Sequence, residues 1–280
     1  MTIYPLILKL GPLALTGYGV MMMVAFLMAG YAMQLELRER KLDEEYAADI
    51  IIAAVIGGLV GAKLWYVVVS GEWRALFQRG GFVWYGGFFG GVVAVLLNGW
   101  RLRVPPRWTM ELTAIALPVG YALGRVGCFL VNDDYGIPTT LPWGVKFPEG
   151  LPPTTVQNLS RMHVAFPPGT NPLDVVAVHP TQLYETVLML LAFAFLWRLR
   201  RHHHAMGWRF GVYLLLAGVE RFVIEMVRAK DDRVAGPLSL AQLTSILIVL
   251  AGVVVMAKLS APDAAELPTP ARLTPRPASP

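Results

Sequence analysis

Long runs of apolar residues constrain this chain more than any other feature of its sequence. Seven such runs, each of roughly 15 to 23 residues, are bounded by charges or turn formers, and this is the length that a helix needs to cross a bilayer. They are Gly11–Met33, Ile50–Val69, Val83–Leu97, Ala114–Leu130, Thr181–Trp197, Phe210–Val227 and Ser239–Leu259. Charged residues make up only 15% of the chain, against about a quarter of a soluble domain. The sequence therefore predicts an all-α integral membrane protein with about seven transmembrane helices, and it excludes soluble globular, fibrous and disordered classes.

The lysines and arginines of the loops predict the orientation, because these residues resist translocation. When alternate loops are assigned to opposite sides, one side holds thirteen basic residues and the other holds eight. The side with thirteen should be cytoplasmic, so we expect the N-terminus outside and the C-terminus inside. Residues 1–259 then form one membrane domain, in which 132–178 is a small extracytoplasmic head between spans four and five. Residues 260–280 are rich in alanine and proline and should form a disordered cytoplasmic tail.

Charge and cysteine content exclude several kinds of partner. The formal net charge of +5 suits a cytoplasmic membrane surface but lacks the dense basic face of a nucleic-acid binder, so no nucleic acid is expected. The single cysteine, Cys128, cannot form an internal disulfide or a multi-thiolate metal site. The acidic pair Asp133 and Asp134 has either a structural role or a role in a reaction, and both are favoured over a divalent cation. We expect neither a metal nor another cofactor.

Charged residues within the apolar runs are the strongest indication of a function. An arginine near the bilayer centre costs roughly 2.5 to 3.5 kcal/mol on insertion scales, so Arg125 and Arg221 need a counter-charge, a water-filled cavity or an anionic ligand. Arg221, Glu225 and Arg228 are spaced by four and three residues and therefore share one face of the sixth span. A structural ion network remains open, but a functional cavity is favoured. The excess positive charge of this stripe suits a phosphate group.

Other polar residues point toward the same region. The fifth span opens with His179, and Gln182 and Glu185 follow on one face that should point into the bundle at the outer surface. His179 is either a general base or, with somewhat more weight, a hydrogen-bonding group at the helix entry. Tyr18 and Tyr85 both neighbour glycine, where they either present a hydroxyl to a cavity or, more commonly, serve as interface anchors. Lys63 is a further intramembrane cation.

Glycines four residues apart predict close helix packing. Gly57 and Gly61 share a face of the second span, and Gly86 with Gly90 and Gly87 with Gly91 repeat the spacing in the third. Packing is favoured over ligand contact for Gly86 and Gly87. The two halves of the chain show no internal repeat, which counts against a transporter built from inverted repeats.

Together these residues form a set of motifs that resembles the prolipoprotein diacylglyceryl transferases of bacteria. The most specific motifs are the heptapeptide from His179 to Glu185 and the Gly-Arg-x-Gly element from Gly124 to Gly127. The others are Gly17-Tyr18-Gly19, Gly61-Ala62-Lys63-Leu64, Tyr85-Gly86-Gly87, Pro142-Trp143-Gly144-Val145 before Phe147-Pro148, and Arg221-Phe222-Val223-Ile224-Glu225. The resemblance covers nearly every span, and it implies a seven-span enzyme whose site opens to lipid and to the outer side.

The resemblance also implies a reaction and its partners. The diacylglyceryl group of phosphatidylglycerol would be transferred to the lipobox cysteine of a prelipoprotein signal peptide, giving a thioether and releasing glycerol phosphate. The protein would work among membrane lipids in the bacterial cytoplasmic (inner) membrane. Two alternatives stay open, namely a paralogue with a different acceptor and a phospholipid-binding or transport protein without enzymatic activity.

The resemblance assigns roles to particular residues. Arg125 and Arg221 would hold the lipid phosphate, and Glu225 would orient Arg221. Tyr85 stands where some members have histidine, so it would donate a phenolic hydrogen bond, and His179 becomes the candidate base. Cys128 stands where many members have asparagine, so headgroup contacts there should differ. The residues expected to bind substrate are Tyr18, Lys63, Gly86, Gly87, Gly124, Gly127, Asp133, Gln182, Tyr184, Glu185 and Arg228.

Overall fold

The structure is a computed structural model that describes residues 1–10, 13–77, 81–229, 233–235, 238–261 and 269–274. Helices dominate these residues. They are α1 (Gly17–Glu39), α2 (Glu45–Ser70), α3 (Trp84–Arg101), α4 (Pro106–Leu130), α5 (Val156–Arg161), α6 (Thr181–Arg198), α7 (Trp208–Glu225) and α8 (Leu240–Lys258). Each predicted span overlaps one of these helices, although their ends differ. The short α5 lies between α4 and α6.

Five helices among the described residues are long and apolar enough to cross a membrane, namely α1, α2, α4, α8 and α6 with its extension to Arg201. The chain is therefore a mostly helical membrane protein. The other two predicted spans form α3 and α7, helices of 18 residues that fall outside this group. Four charged residues lower the apolarity of α7, namely Arg209, Glu220, Arg221 and Glu225, and glycine, tryptophan and Asn98 lower that of α3.

Two short antiparallel strand pairs accompany the helices, and the chain remains mostly helical as predicted. Strand β1 (Ile7–Leu10) pairs with β2 (Leu13–Thr16), and β3 (Arg233–Ala235) pairs with β4 (Leu238–Ser239). In the first predicted span, Leu13–Thr16 forms strand β2 and not helix, while Gly11 and Pro12 lie outside the described residues. Its helix begins at Gly17 because Thr16 has an extended backbone and its hydroxyl accepts a hydrogen bond from Gly19 N at 3.1 Å.

Helix α4 occupies the centre of the bundle, where it packs against α1, α6 and α7. At the edges, α2 packs closely on α3 and α7 packs closely on α8. A Cβ atom added to Gly61 would lie 2.3 Å from the carbonyl oxygen of Gly86, and one added to Gly90 would lie 2.3 Å from that of Gly57. The packing role predicted for the glycines four residues apart is therefore confirmed at these positions.

The head segment, residues 132–178, links α4 to α6 and has a small core of its own. Phe147, Leu159 and Val178 are fully buried there, and Tyr135 stacks on Phe147. An isolated bridge joins Gly136 to Arg228, so the head segment is attached directly to the chain that follows α7. This bridge brings the polar residues at the start of the head segment close to the end of α7.

Part of the predicted disordered tail is ordered. Ala271–Leu273 forms a 3₁₀ turn, and the fully buried Leu273 joins the apolar cluster between α1, α2 and α4. The Arg272 guanidinium lies 2.7 Å from Asp43 and 2.7 Å from Asp49 at the start of α2. Burial and ion pairing hold residues 269–274 against the bundle, while 262–268 and 275–280 lie outside the described residues.

Candidate active site

Arg125 lies near the C-terminal end of α4 between two carboxylates. Its guanidinium pairs with Glu185 on α6, whose side chain is fully buried, and its Nη1 lies 2.8 Å from Asp134 Oδ2. The Tyr121 hydroxyl donates to Glu185 Oε1 at 3.1 Å. Arg125 therefore has the counter-charge that its position within a span requires.

Asp134 connects two arginines at the membrane end of the head segment. One oxygen accepts from Arg125 Nη1 at 2.8 Å and the other from Arg228 Nη2 at 2.6 Å. Burial acts to raise the pKa of Asp134, but Arg228 and Arg125 outweigh it and lower that pKa. Asp134 is thus an ionised bridge between α4 and the chain that follows α7.

The adjacent Asp133 has a different environment. Its side-chain oxygen accepts from the backbone N–H of Asp134 at 2.7 Å, and its backbone oxygen accepts from the buried Gln182 amide. Burial and the neighbouring Asp134 raise the pKa of Asp133. Asp133 and Gln182, both predicted to bind substrate, therefore contact one another beside the arginines.

Glu225 is the last residue of α7 and contacts three other residues of the site. Its Oε2 lies 2.6 Å from Arg221 Nη2 and 3.7 Å from Arg228 Nε. Its Oε1 accepts from the Ser239 hydroxyl at 3.1 Å. The predicted grouping of Arg221, Glu225 and Arg228 is present, but α7 ends at Glu225, so Arg228 lies beyond the helix and not on its face.

In the structure, carboxylates from other parts of the chain balance the positive charge that the sequence predicts to be in excess. Three arginines, Arg125, Arg221 and Arg228, are paired with three carboxylates, Asp134, Glu185 and Glu225. We call these six residues the ion-pair network. Sequence spacing within the sixth span revealed only Glu225, because the other two carboxylates come from distant parts of the chain.

Arg221 is the arginine of the network best placed to meet a ligand. Its side chain is 27% exposed, whereas those of Arg125 and Arg228 are each 11% exposed. Its buried Nη1 has no hydrogen-bond partner among the described residues. Because an unpaired buried donor is costly, this atom is a natural contact for an anionic group.

A partly open cavity of about 590 Å³ borders the network. Glu225, Arg228, Ser239 and Gln242 line one part of it, and Met162 to Phe166 of the head segment line another. The volume lies in the range of ligand sites, about 300 to 1,000 Å³, and the wall combines apolar and charged groups. Two residues of the network, Glu225 and Arg228, are thus accessible from a cavity.

His179 belongs to a second hydrogen-bonded group at the start of α6. Its Nδ1 lies 3.1 Å from the Tyr184 hydroxyl, which accepts from Trp143 Nε1 at 2.8 Å. Burial lowers the pKa of His179, so the imidazole is neutral at neutral pH. The described contacts of His179 do not include a residue of the ion-pair network.

The remaining predicted residues lie on α1 to α4. Tyr18 packs against α4, since a Cβ atom on Gly127 would lie 3.3 Å from Tyr18 Cα. Tyr85 on α3 is half exposed and makes an edge contact with Trp84. Lys63 Nζ on α2 lies 5.0 Å from the centre of the Phe82 ring. The described contacts do not bring Tyr85 to the network, and Gly86 contacts α2 across the helix interface.

Sequence reasoning missed several residues around the network. Tyr121 lies in an ordinary apolar context without a local signal, whereas Ser239 and Gln242 have the Ser-x-x-Gln spacing of a capping box, which indicates the start of a helix but not a site. Glu220 could have been found, because it is an acidic residue next to Arg221 within a predicted span. It is 7% exposed, and its Oε1 has no hydrogen-bond partner in the described part of the chain.

Fold and site together define a class, a helical membrane protein with a buried arginine–carboxylate network beside a cavity. The family model described as prolipoprotein diacylglyceryl transferase matches residues 5–258. The chain therefore belongs to the prolipoprotein diacylglyceryl transferase family.

Curated relatives carry matching names. A phosphatidylglycerol–prolipoprotein diacylglyceryl transferase of Clostridium tetani is 29% identical to this chain, covering 90% of the chain and 96% of the relative. The enzyme of that name from Stenotrophomonas maltophilia is 31% identical over 82% of each chain. That of Thermotoga maritima is 29% identical, over 88% of this chain and 81% of the relative.

Proposed function

We propose that this chain transfers the diacylglyceryl group of phosphatidylglycerol to the lipobox cysteine thiol of a prelipoprotein. The family match over residues 5–258 is the observation that carries this proposal. The names of the relatives state both the lipid and the acceptor protein. The ion-pair network beside a cavity adds physical support, because the reaction needs groups that hold a phosphate within a membrane.

The chemistry is a displacement at carbon. The thiol loses its proton, the sulfur attacks the glyceryl carbon, and the bond from this carbon to the phosphate oxygen breaks. The electron pair of that bond leaves on glycerol phosphate. A thiol with a reference pKa near 8.5 is mostly protonated at neutral pH, so the site needs a proton acceptor as well as a positive field for the leaving group.

Arg221 is the direct phosphate contact in this proposal. Its unpartnered Nη1 is free to donate to a phosphate oxygen while Nη2 stays on Glu225. Arg125 and Arg228 share Asp134, which holds their guanidinium groups in fixed positions within the network. Negative charge that accumulates on the leaving phosphate strengthens the Arg221 contact in the transition state, which accelerates the reaction.

His179 is the proposed proton acceptor. It is neutral at neutral pH, and in the tautomer whose Nδ1 donates to Tyr184, its Nε2 carries the free lone pair. Tyr85 would donate a hydrogen bond to the substrate. Tyr18, Lys63, Asp133, Gln182, Tyr184 and the glycines Gly86, Gly87, Gly124 and Gly127 would shape the lipid and peptide contacts.

The proposed topology has seven spans in the bacterial inner membrane. The outer faces of α3 carry exposed apolar residues such as Phe88, Phe89 and Leu97, which suit contact with lipid tails. The excess of basic residues on alternate loops supports a cytoplasmic C-terminus. The head segment and the ion-pair network would then lie at the outer surface, where signal peptides emerge.

A vesicle assay tests the proposed function. Purified protein in phosphatidylglycerol vesicles should add one diacylglyceryl mass to a peptide that contains a lipobox cysteine, and should release glycerol phosphate. A peptide with serine in place of that cysteine should remain unmodified. Unmodified cysteine peptide together with intact lipid binding would instead indicate a binding or transport protein, and lipidation of another acceptor would indicate a paralogous transferase.

A further inference from the structure

Helix α8 begins at a residue that also contacts the ion-pair network. Ser239 is the N-cap of α8, and its hydroxyl oxygen accepts from the Gln242 backbone N–H at 3.1 Å. The Gln242 side chain accepts in return from the Ser239 N–H at 3.1 Å. This reciprocal pair of bonds is a capping box, which holds the first turn of the helix in one geometry.

The same hydroxyl makes one more hydrogen bond. Ser239 Oγ lies 3.1 Å from Glu225 Oε1, and Ser239 is 6% exposed. A hydroxyl has a single proton. Since the Gln242 N–H already occupies an acceptor position on the oxygen, the proton is directed to the carboxylate, so Ser239 is a donor to Glu225.

The second oxygen of Glu225 faces two arginines at unequal distances. It lies 2.6 Å from Arg221 but 3.7 Å from Arg228, whose Nε has no hydrogen-bond partner among the described residues. Rotation of the carboxylate toward Arg228 would release Arg221. The Ser239 hydrogen bond on the other oxygen opposes this rotation.

We propose that Ser239 is a positioning residue that keeps Glu225 on Arg221 and so aims the free Arg221 donor at the phosphate. This inference rests on the proposed function. Ser239, Gln242 and Glu225 also border the 590 Å³ cavity, so the capping box forms part of its wall. Helix α8 thereby contributes to the site without contacting the phosphate itself.

A set of substitutions at Ser239 separates positioning from capping. Aspartate and asparagine are both strong N-caps, so both variants should keep α8 capped, and Ser239→Asn should preserve the thermal midpoint. Only asparagine has an N–H that can donate to Glu225, whereas an ionised aspartate repels it. At pH 8 we expect kcat for peptide lipidation to fall about 100-fold in Ser239→Asp, with KM for the peptide little changed.

The matched variants complete the test. Ser239→Asn and Ser239→Thr should retain kcat within about threefold, because both keep a donor and a cap. Ser239→Ala should lose both thermal stability and kcat. Wild-type kcat in Ser239→Asp would overturn the proposal, since Ser239 would then be only a cap. An equal loss in Ser239→Asn would also overturn it, because the donor would not be the cause.

Lipid binding separates this inference from the proposed function. If the wild-type protein lipidates no peptide, the proposed function fails, and the affinity of each variant for phosphatidylglycerol in nanodiscs then tests positioning alone. We expect weaker binding in Ser239→Asp than in the wild type and wild-type binding in Ser239→Asn. Equal affinities in the two variants would contradict the positioning role.

Discussion

Arg125 and Arg221 are both intramembrane cations, but their surroundings give them different tasks. Arg125 is committed to Glu185 and Asp134 on both sides of its guanidinium. Among the described residues, Arg221 has one carboxylate partner, and its Nη1 has no hydrogen-bond partner. Loss of the first arginine should therefore affect folding, and loss of the second should affect mainly the reaction.

Arg125→Ala should destabilise the protein by about 3 to 5 kcal/mol, because it leaves the fully buried Glu185 without its counter-charge. The measurement is the free energy of unfolding in mixed micelles, with Arg221→Ala as the matched control at a more exposed arginine. Arg125→Met combined with Glu185→Leu should recover stability without recovering activity. Equal stability losses in Arg125→Ala and Arg221→Ala would contradict these assignments.

Asp134 should make stability depend on acidity. Its pKa is lowered in the folded protein, so ionised Asp134 stabilises the fold above its unfolded pKa of about 3.9, and this contribution is lost as the pH falls through the lower folded pKa. Asp134→Asn should therefore be destabilised at pH 7, with a smaller difference from the wild type below about pH 4. Thermal midpoints across this range test the prediction, and a difference that does not depend on pH would refute it.

At the scale of elements, the closest helix contact is that between α2 and α3. A Cβ atom at Gly61 would lie 2.3 Å from the Gly86 oxygen, whereas one at Gly87 would have ordinary contacts of 3.4 Å and longer. Gly61→Ala should cost about 1 to 3 kcal/mol by forcing the helices apart. Gly87→Ala is the matched control and should be nearly neutral. Unfolding measurements that rank the two variants equally would contradict this packing.

Runs of apolar residues predicted where the helices lie, but not always where they begin. The run Ser239–Leu259 became α8, Leu240–Lys258, because Ser239 is its cap. Within the run that starts at Gly11, Leu13–Thr16 pairs as a strand with Ile7–Leu10, because apolar content alone does not distinguish a strand from a helix.

Sequence spacing predicted only those contacts of the site that lie within one helix. The ion pair of Arg221 and Glu225 follows from a spacing of four residues within one helix. The pair of Arg125 and Glu185 joins α4 to α6, and the contact of Ser239 with Glu225 joins the start of α8 to the end of α7. Neither pairing has a local spacing rule, since it depends on how the helices pack.

At the scale of the whole molecule, residues 269–274 pack against the helical bundle. They lie beyond residue 258, where the family match ends, and Leu273 is fully buried between α1, α2 and α4. Arg272 pairs with acidic residues at the start of α2. The segment therefore holds the start of α2 against the bundle. Helix α2 also packs closely on α3.

Substitutions that weaken the contacts of residues 269–274 should lower the free energy of unfolding, although these residues lie away from the ion-pair network. Leu273→Ala should cost about 2 to 5 kcal/mol through loss of buried apolar contact. Arg272→Glu should also destabilise, whereas the same charge reversal at the exposed Arg161 should have little effect. Unfolding free energies test both, and a neutral Leu273→Ala variant would show that the segment does not hold the bundle.

The most direct test of the account is the lipidation rate of Arg221→Ala in phosphatidylglycerol vesicles, with folding verified by its thermal midpoint. If Arg221 grips the departing phosphate, thioether peptide and glycerol phosphate should form in equal amounts in the wild type, and both should fall by about 100-fold or more in the variant. A folded Arg221→Ala protein that lipidates the peptide at the wild-type rate would contradict the account.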